Sequence, residues 1–219
     1  MRSGTIETDA DVTAALAALL RLDPRLQRVA EIAGPLPLRR NARGLRGLAG
    51  TIIGQQVSRA SADAIFGRLC AEVAIDDAAA VLAATDEALR RAGLSRAKIV
   101  TLRAVADAIV AGRLDLTRIA AAEPEVAVAE LSVIPGIGRW TAECFLLFSA
   151  GHPDVFPAGD LALQVAVGHA FDLPARPKEK AVAAAAQGWA PHRVTAARLF
   201  WAYYRAITRR DAMPVEPAG

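Results

Sequence analysis

The chain has 219 residues, 53% hydrophobic and 22% charged. That composition fits a packed core and excludes a disordered chain, and at roughly 150 residues per domain it allows one large domain or two small subdomains. Its net charge of +3 singles out no partner, and an arginine bias over only three lysines (Lys98, Lys178 and Lys180) has genome composition as an equally good source. Two cysteines, Cys70 and Cys144, supply neither a disulfide framework nor a four-thiolate metal site. With no signal-peptide run near Met1 and no apolar stretch of about 18 residues, the expectation is a soluble, cytoplasmic protein without a membrane partner.

In chain order, the periodicity is helical almost throughout. Thr8 or Asp9 caps a helix to about Leu22, with Val12, Leu16, Leu19 and Leu20 at helical spacing. Asp23-Pro24 restarts the chain, Pro being well placed in a first helical turn. Gly34-Pro35-Leu36-Pro37 breaks it ahead of a basic linker with Arg39, Arg40, Arg43 and Arg46. A mostly apolar segment runs from Leu45 to Gln56, and Ser58 opens a helix through Leu69. Ser95 is placed to cap a long helix carrying Ile99, Leu102, Ala106, Ile109 and Val110 on one face, ended by Gly112. Glu123-Pro124 opens a short helix to Leu131, Arg139 begins one to Ala150, and Asp160 one to Phe171. Pro174-Ala175-Arg176-Pro177 precedes an alanine-rich helix, and Pro191 opens the last, to about Thr208. Val155-Phe156 is at most a short extended link. The expected class is all-α, with about ten helices.

The most informative run is Leu131-Ser132-Val133-Ile134-Pro135-Gly136-Ile137-Gly138-Arg139-Trp140-Thr141. Pro135 cannot continue the helix before it. Gly136 and Gly138 admit left-handed or close-approach backbone, and a new helix starts at once. Backbone N–H groups of Ile137 to Arg139 at a helix N-terminus suit a phosphate, and Arg139 and Thr141 add donors beside them. Taken alone, the same run also reads as an ordinary corner between two helices.

Leu-Ser-x-Ile-Pro-Gly-Ile-Gly-Arg-Trp-Thr-Ala-Glu resembles the helix-hairpin-helix of the DNA glycosylase superfamily that carries that name, with its closest likeness to the 3-methyladenine DNA glycosylase II branch. Further segments follow in the family's order over residues 40 to 208. Leu48-Ala49-Gly50-Thr51-Ile52-Ile53-Gly54-Gln55-Gln56-Val57-Ser58 is similar to the segment that sends a residue into the duplex to fill the gap left by a flipped base. The resemblance puts Gln56 at that plug, where the alkyl-base branch carries leucine; an amide there can hydrogen-bond the orphaned base. Val155-Phe156-Pro157-Ala158-Gly159-Asp160 is similar to the segment bearing the catalytic aspartate, Asp160 lying 22 residues after Gly138. On its own, Asp160 is a helix N-cap, and the two roles are compatible. Trp189-Ala190-Pro191-His192-Arg193 leads into the final helix with Trp201, which resembles a second pocket tryptophan.

The resemblance implies two all-α subdomains, residues 1–42 with 156–219 and residues 43–155, with the hairpin and Asp160 along a cleft between them and without the N-terminal β-rich domain of longer members. It implies a base pocket containing Trp140, Trp201, Leu161 and Cys144, the last two standing where that branch has tyrosines. Phosphates fall to Gly136, Ile137, Gly138, Arg139 and Thr141. Lyase members carry a lysine where this chain has Trp140, so hydrolysis rather than Schiff-base chemistry is implied. A carboxylate suits that hydrolysis because breaking an N-glycosidic bond builds positive charge on the sugar. The expected activity is release of alkylated bases of the 3-methyladenine and 7-methylguanine type from duplex DNA, leaving an abasic site, by a monomer acting at the nucleoid. No catalytic metal or iron–sulfur cluster is expected, four cysteines being absent; a structural cation at the hairpin is optional. The other readings are a monofunctional glycosylase for deaminated or mismatched bases and a non-catalytic helix-hairpin-helix DNA-binding protein.

Overall fold

A computed structural model describes residues 5–208. Among these residues the secondary structure is helical, without strands, as the all-α class requires. The chain divides into two compact units: Arg39–Ala150 forms one, and the segments up to Leu38 and from Gly151 form the other.

In the two-segment unit, α1 (Asp9–Leu22) opens with a reciprocal cap. The Thr8 hydroxyl accepts the Asp11 N–H, and the Asp11 carboxylate accepts the Thr8 N–H. A single 3₁₀ turn, Pro24–Leu26, leads into α2 (Gln27–Ala33), which Gly34 ends at φ +71. Numbering on in chain order, α11 is Leu161–Ala170, α12 is Glu179–Ala186 and α13 is Arg193–Thr208. Every residue of α13 from Val194 to Tyr203 is buried, and the helix packs on α1, α2 and α11. A helix buried on all sides is the centre of its unit rather than a surface element. Phe156, Phe171, Trp189 and Phe200 cluster at centroid separations of 5.0–6.4 Å, within the range in which aromatic pairs attract. The expected start of α13 at Pro191 is corrected to Arg193. There the Asp154 carboxylate accepts the Arg193 N–H at 3.3 Å and its guanidinium at 2.7 and 2.9 Å, and so works as the cap.

The Arg39–Ala150 unit holds α3 (Gly44–Ile53), α4 (Arg59–Glu72), α5 (Ala78–Ala83), α6 (Asp86–Arg91), α7 (Arg96–Val110), α8 (Leu116–Ala121), α9 (Pro124–Ser132) and α10 (Arg139–Phe145). Ser58, Asp77, Thr85, Ser95 and Asp115 each accept a first-turn N–H and so fix where α4 to α8 begin. No periodicity in the sequence announces α5, α6 and α8, six residues each. The helix expected over Arg139 to Ala150 is α-helical only to Phe145 and continues as a π turn, Leu146–Ala150. Thr141 to Ser149 are all buried, so this helix is the core of its unit, with α3 and α9 packed on it.

Candidate functional site

The hairpin joins α9 to α10. Ile134 and Ile137 anchor it, 9% and 3% exposed. Gly136 lies at φ +86, and a Cβ there would collide with Thr101 Oγ1 on α7; this glycine is demanded by the fold. Gly138 differs. It sits at φ −86, caps α10, and a Cβ on it would meet nothing within 4 Å. The protein's own packing therefore does not call for a glycine at Gly138, whereas close approach of an external backbone would.

The expected phosphate donors divide. The Ile137 N–H is spent on the Ile134 carbonyl, 3.0 Å away, which corrects its assignment as an outward donor. The Arg139 guanidinium is held by both Glu125 oxygens at 2.8 and 3.0 Å and by the buried Glu143 at 2.9 Å. The Glu125 hydrogen bonds chiefly raise its pKa, and Glu143 adds to them. Its charge is balanced before any phosphate arrives. The Thr141 side chain is buried, 3% exposed, and its hydroxyl accepts from Gln55. Beyond these side chains, the hairpin presents the N-terminus of α10 at Gly138, whose cap receives no side-chain hydrogen bond and where the helix dipole favours an anion.

The segment after α3 carries Gln55 and Gln56. Gln56 is exposed and adopts φ +56, the left-handed region in which a non-glycine is uncommon. Gln55 is half-buried and its amide turns to the hairpin, where Nε2 donates to Thr141 Oγ1 at 2.8 Å and to the Gly136 carbonyl at 3.3 Å. Lys98 Nζ on α7 donates to the Ile53 carbonyl at 2.6 Å, and burial lowers its pKa from the ordinary lysine value. The sequence pattern assigns Gln55, Lys98 and Thr101 no part in the site. Only the adjacency of Gln55 to Gln56 hinted at one.

In the other unit, Asp160 caps α11. Its Oδ1 accepts the Leu163 N–H at 3.0 Å and the Trp201 indole N–H at 3.1 Å. Asp160 and Trp201 are 8% and 7% exposed. Gln164 supports the turn, its Nε2 donating to the Ala158 carbonyl at 3.0 Å. Leu161 is 61% exposed, an apolar side chain standing out beside the carboxylate; Cys144, expected with it in one pocket, is 1% exposed in the core of α10. Trp140 is half-buried. Among the described residues, no three His, Cys, Asp or Glu side chains come together to hold a metal ion, and no helix is long and apolar enough to cross a membrane.

Comparison with known proteins gives these features a context. The model of the HhH-GPD superfamily of base excision DNA repair proteins matches residues 49–192. That span takes in Gln56, the hairpin and Asp160, and ends before Trp201. DNA-3-methyladenine glycosylase 1 of Schizosaccharomyces pombe is 34% identical over 116 residues, 52% of this chain and 51% of that protein; the chain thus aligns with about half the length of this curated relative. Among solved structures, the S. pombe 3-methyladenine DNA glycosylase in complex with abasic DNA is 27% identical, with a TM-score of 0.76 over 88% of this chain and 95% of that one. A DNA-3-methyladenine glycosidase from Bacillus halodurans is 32% identical, with a TM-score of 0.77 over 89% and 90%. The family match spans well over half of the sequence and contains the helix-capping aspartate, the glycine hairpin and the exposed Gln56: the chain belongs to the HhH-GPD superfamily of base excision DNA repair proteins.

Proposed function

We propose that this protein is a monofunctional DNA glycosylase that takes alkylated bases out of duplex DNA and hydrolyses their N-glycosidic bonds, leaving an abasic site. The observation that carries the reading is the Asp160 carboxylate, oriented through Oδ1 by the Leu163 and Trp201 N–H groups. As the bond to the base lengthens, positive charge grows on the sugar, and a fixed carboxylate stabilises it and orients the attacking water. An alkylated purine already carries the charge it needs to leave, so the site requires no second acid. The relatives' names and the abasic-DNA complex of the S. pombe enzyme support the same substrate class.

In the proposed cycle the backbone at Gly138 takes the phosphate, Gln56 fills the gap left by the base, and Trp140 and Trp201 are the stacking surfaces. Hydrolysis rather than lyase chemistry follows from Trp140 at the hairpin position where a nucleophilic amine would stand. Lys98, the lysine with a lowered pKa, is committed to the Ile53 carbonyl. The protein acts as a monomer without cofactor, on genomic DNA in the cytoplasm.

The test is incubation with a panel of duplexes bearing alkylated, deaminated or mismatched bases, followed by alkaline cleavage of abasic sites. Strand cleavage confined to the alkylated duplexes and dependent on alkali supports the reading. Binding without base release on any duplex would leave a DNA-binding module instead, and a DNA adduct trapped by borohydride would overturn the monofunctional assignment.

A further inference from the structure

We propose that Gln55 is a positioning residue that locks the gap-filling Gln56 to the hairpin, so that phosphate capture and filling of the duplex are performed by one rigid piece. This rests on the glycosylase reading above. Gln56 stands in a left-handed conformation on an exposed turn, and a lone exposed turn has no reason to keep that geometry. The residues on its N-terminal side supply one. The carbonyl of Ile53, at the end of α3, is held by Lys98 Nζ from α7. Two residues on, the Gln55 amide donates to the Gly136 carbonyl and to the buried Thr141 hydroxyl. Gly136 itself lies against Thr101, one turn along α7 from Lys98. The plug turn and the hairpin are therefore bracketed by the same helix and bridged to each other by one side chain. A glutamine is suited to the bridge because a single NH₂ group offers two donors to two acceptors.

The test compares binding of the full chain to two duplexes of one sequence, one undamaged and one containing a tetrahydrofuran abasic-site analogue, by fluorescence anisotropy. Gln55→Leu keeps the bulk and removes the donors. It is expected to lose about tenfold in affinity for the abasic duplex, the order expected for a lost buried hydrogen bond, while binding the undamaged duplex nearly as before. Combining it with Gln56→Ala should weaken abasic binding no further than Gln56→Ala alone, because the bridge acts only through the plug. Gln55→Glu, which keeps the shape but cannot donate to the Gly136 carbonyl, should behave alike and carries the test should Gln55→Leu not fold. Equal losses on both duplexes would make Gln55 a mere prop of the hairpin and overturn the proposal, as would additive losses in the double variant or no loss at all. A wild-type chain without preference for the abasic duplex would instead defeat the glycosylase reading on which the proposal stands.

Discussion

Asp160 places two hydrogen bonds on one oxygen: the Leu163 N–H starts α11 and the Trp201 N–H comes from α13. The first was legible in the sequence, since an aspartate before an apolar helical run is an N-cap. The second was not, because Trp201 is 41 residues away and nothing in the spacing of α13 shows which way its indole turns. Trp201→Phe keeps an aromatic face and removes the N–H. A hydrogen bond to a charged acceptor is worth about 1.5–3 kcal/mol, so single-turnover base release should slow by about tenfold or more, with binding to abasic DNA little changed. An unaltered rate would mean that the indole does not position the carboxylate. The side chains expected to meet phosphate fared differently. The types of Arg139 and Thr141 suggest phosphate donors, but Glu125, Glu143 and Gln55 engage them first; Glu143 stands at i,i+4 to Arg139 and is visible in the spacing, whereas Glu125 and Gln55, 14 and 86 residues from their partners, leave no local trace.

Two glycines of one turn have opposite reasons to be glycine. At Gly136 a side chain would be strained at positive φ and would meet Thr101; at Gly138 it would meet open space. Gly136→Ala should therefore destabilise the fold by about 1–3 kcal/mol, read as a lowered urea midpoint. Gly138→Arg should leave that midpoint in place yet weaken binding to all duplex sequences alike, because phosphates carry no sequence information. Loss of binding for one sequence only, or a destabilised Gly138→Arg, would contradict this division. At this scale the sequence was read well where caps are strong: Thr8, Ser58, Ser95 and Asp160 all cap helices. It was read poorly where helices are short. The helices α5, α6 and α8 have six residues each, fewer than a periodicity window of about 11–18 residues can register. The π turn after Phe145 has no sequence signature of its own, and a proline before α13 proved to lie ahead of its first turn rather than in it.

At the scale of the molecule, the two-segment unit is tied by a pairing that no local pattern could announce, Trp189 to Asp23. Asp23, 7% exposed, accepts the Arg25 guanidinium at 2.8 Å and the Trp189 indole N–H at 3.0 Å, from 166 residues away. Arg25 chiefly, and then Trp189, hold the Asp23 carboxyl below its usual pKa against the opposing effect of burial. A carboxyl with a depressed folded-state pKa contributes stability above its unfolded value of about 3.9 and loses it as pH falls through the folded value. Because Arg25 is largely exposed, solvent screens part of the effect. Urea stability should therefore decline on acidification below about pH 4, and less steeply in Asp23→Asn; equal slopes would remove Asp23 from the acid response. The family match and the site chemistry meet in one carboxylate, and the most direct measurement is single-turnover release of an alkylated purine by wild type and Asp160→Asn, alongside their binding to abasic DNA. Base release should fall by at least about 100-fold, the scale for losing a preorganised electrostatic group, with abasic binding retained. Undiminished release by Asp160→Asn would contradict the mechanism.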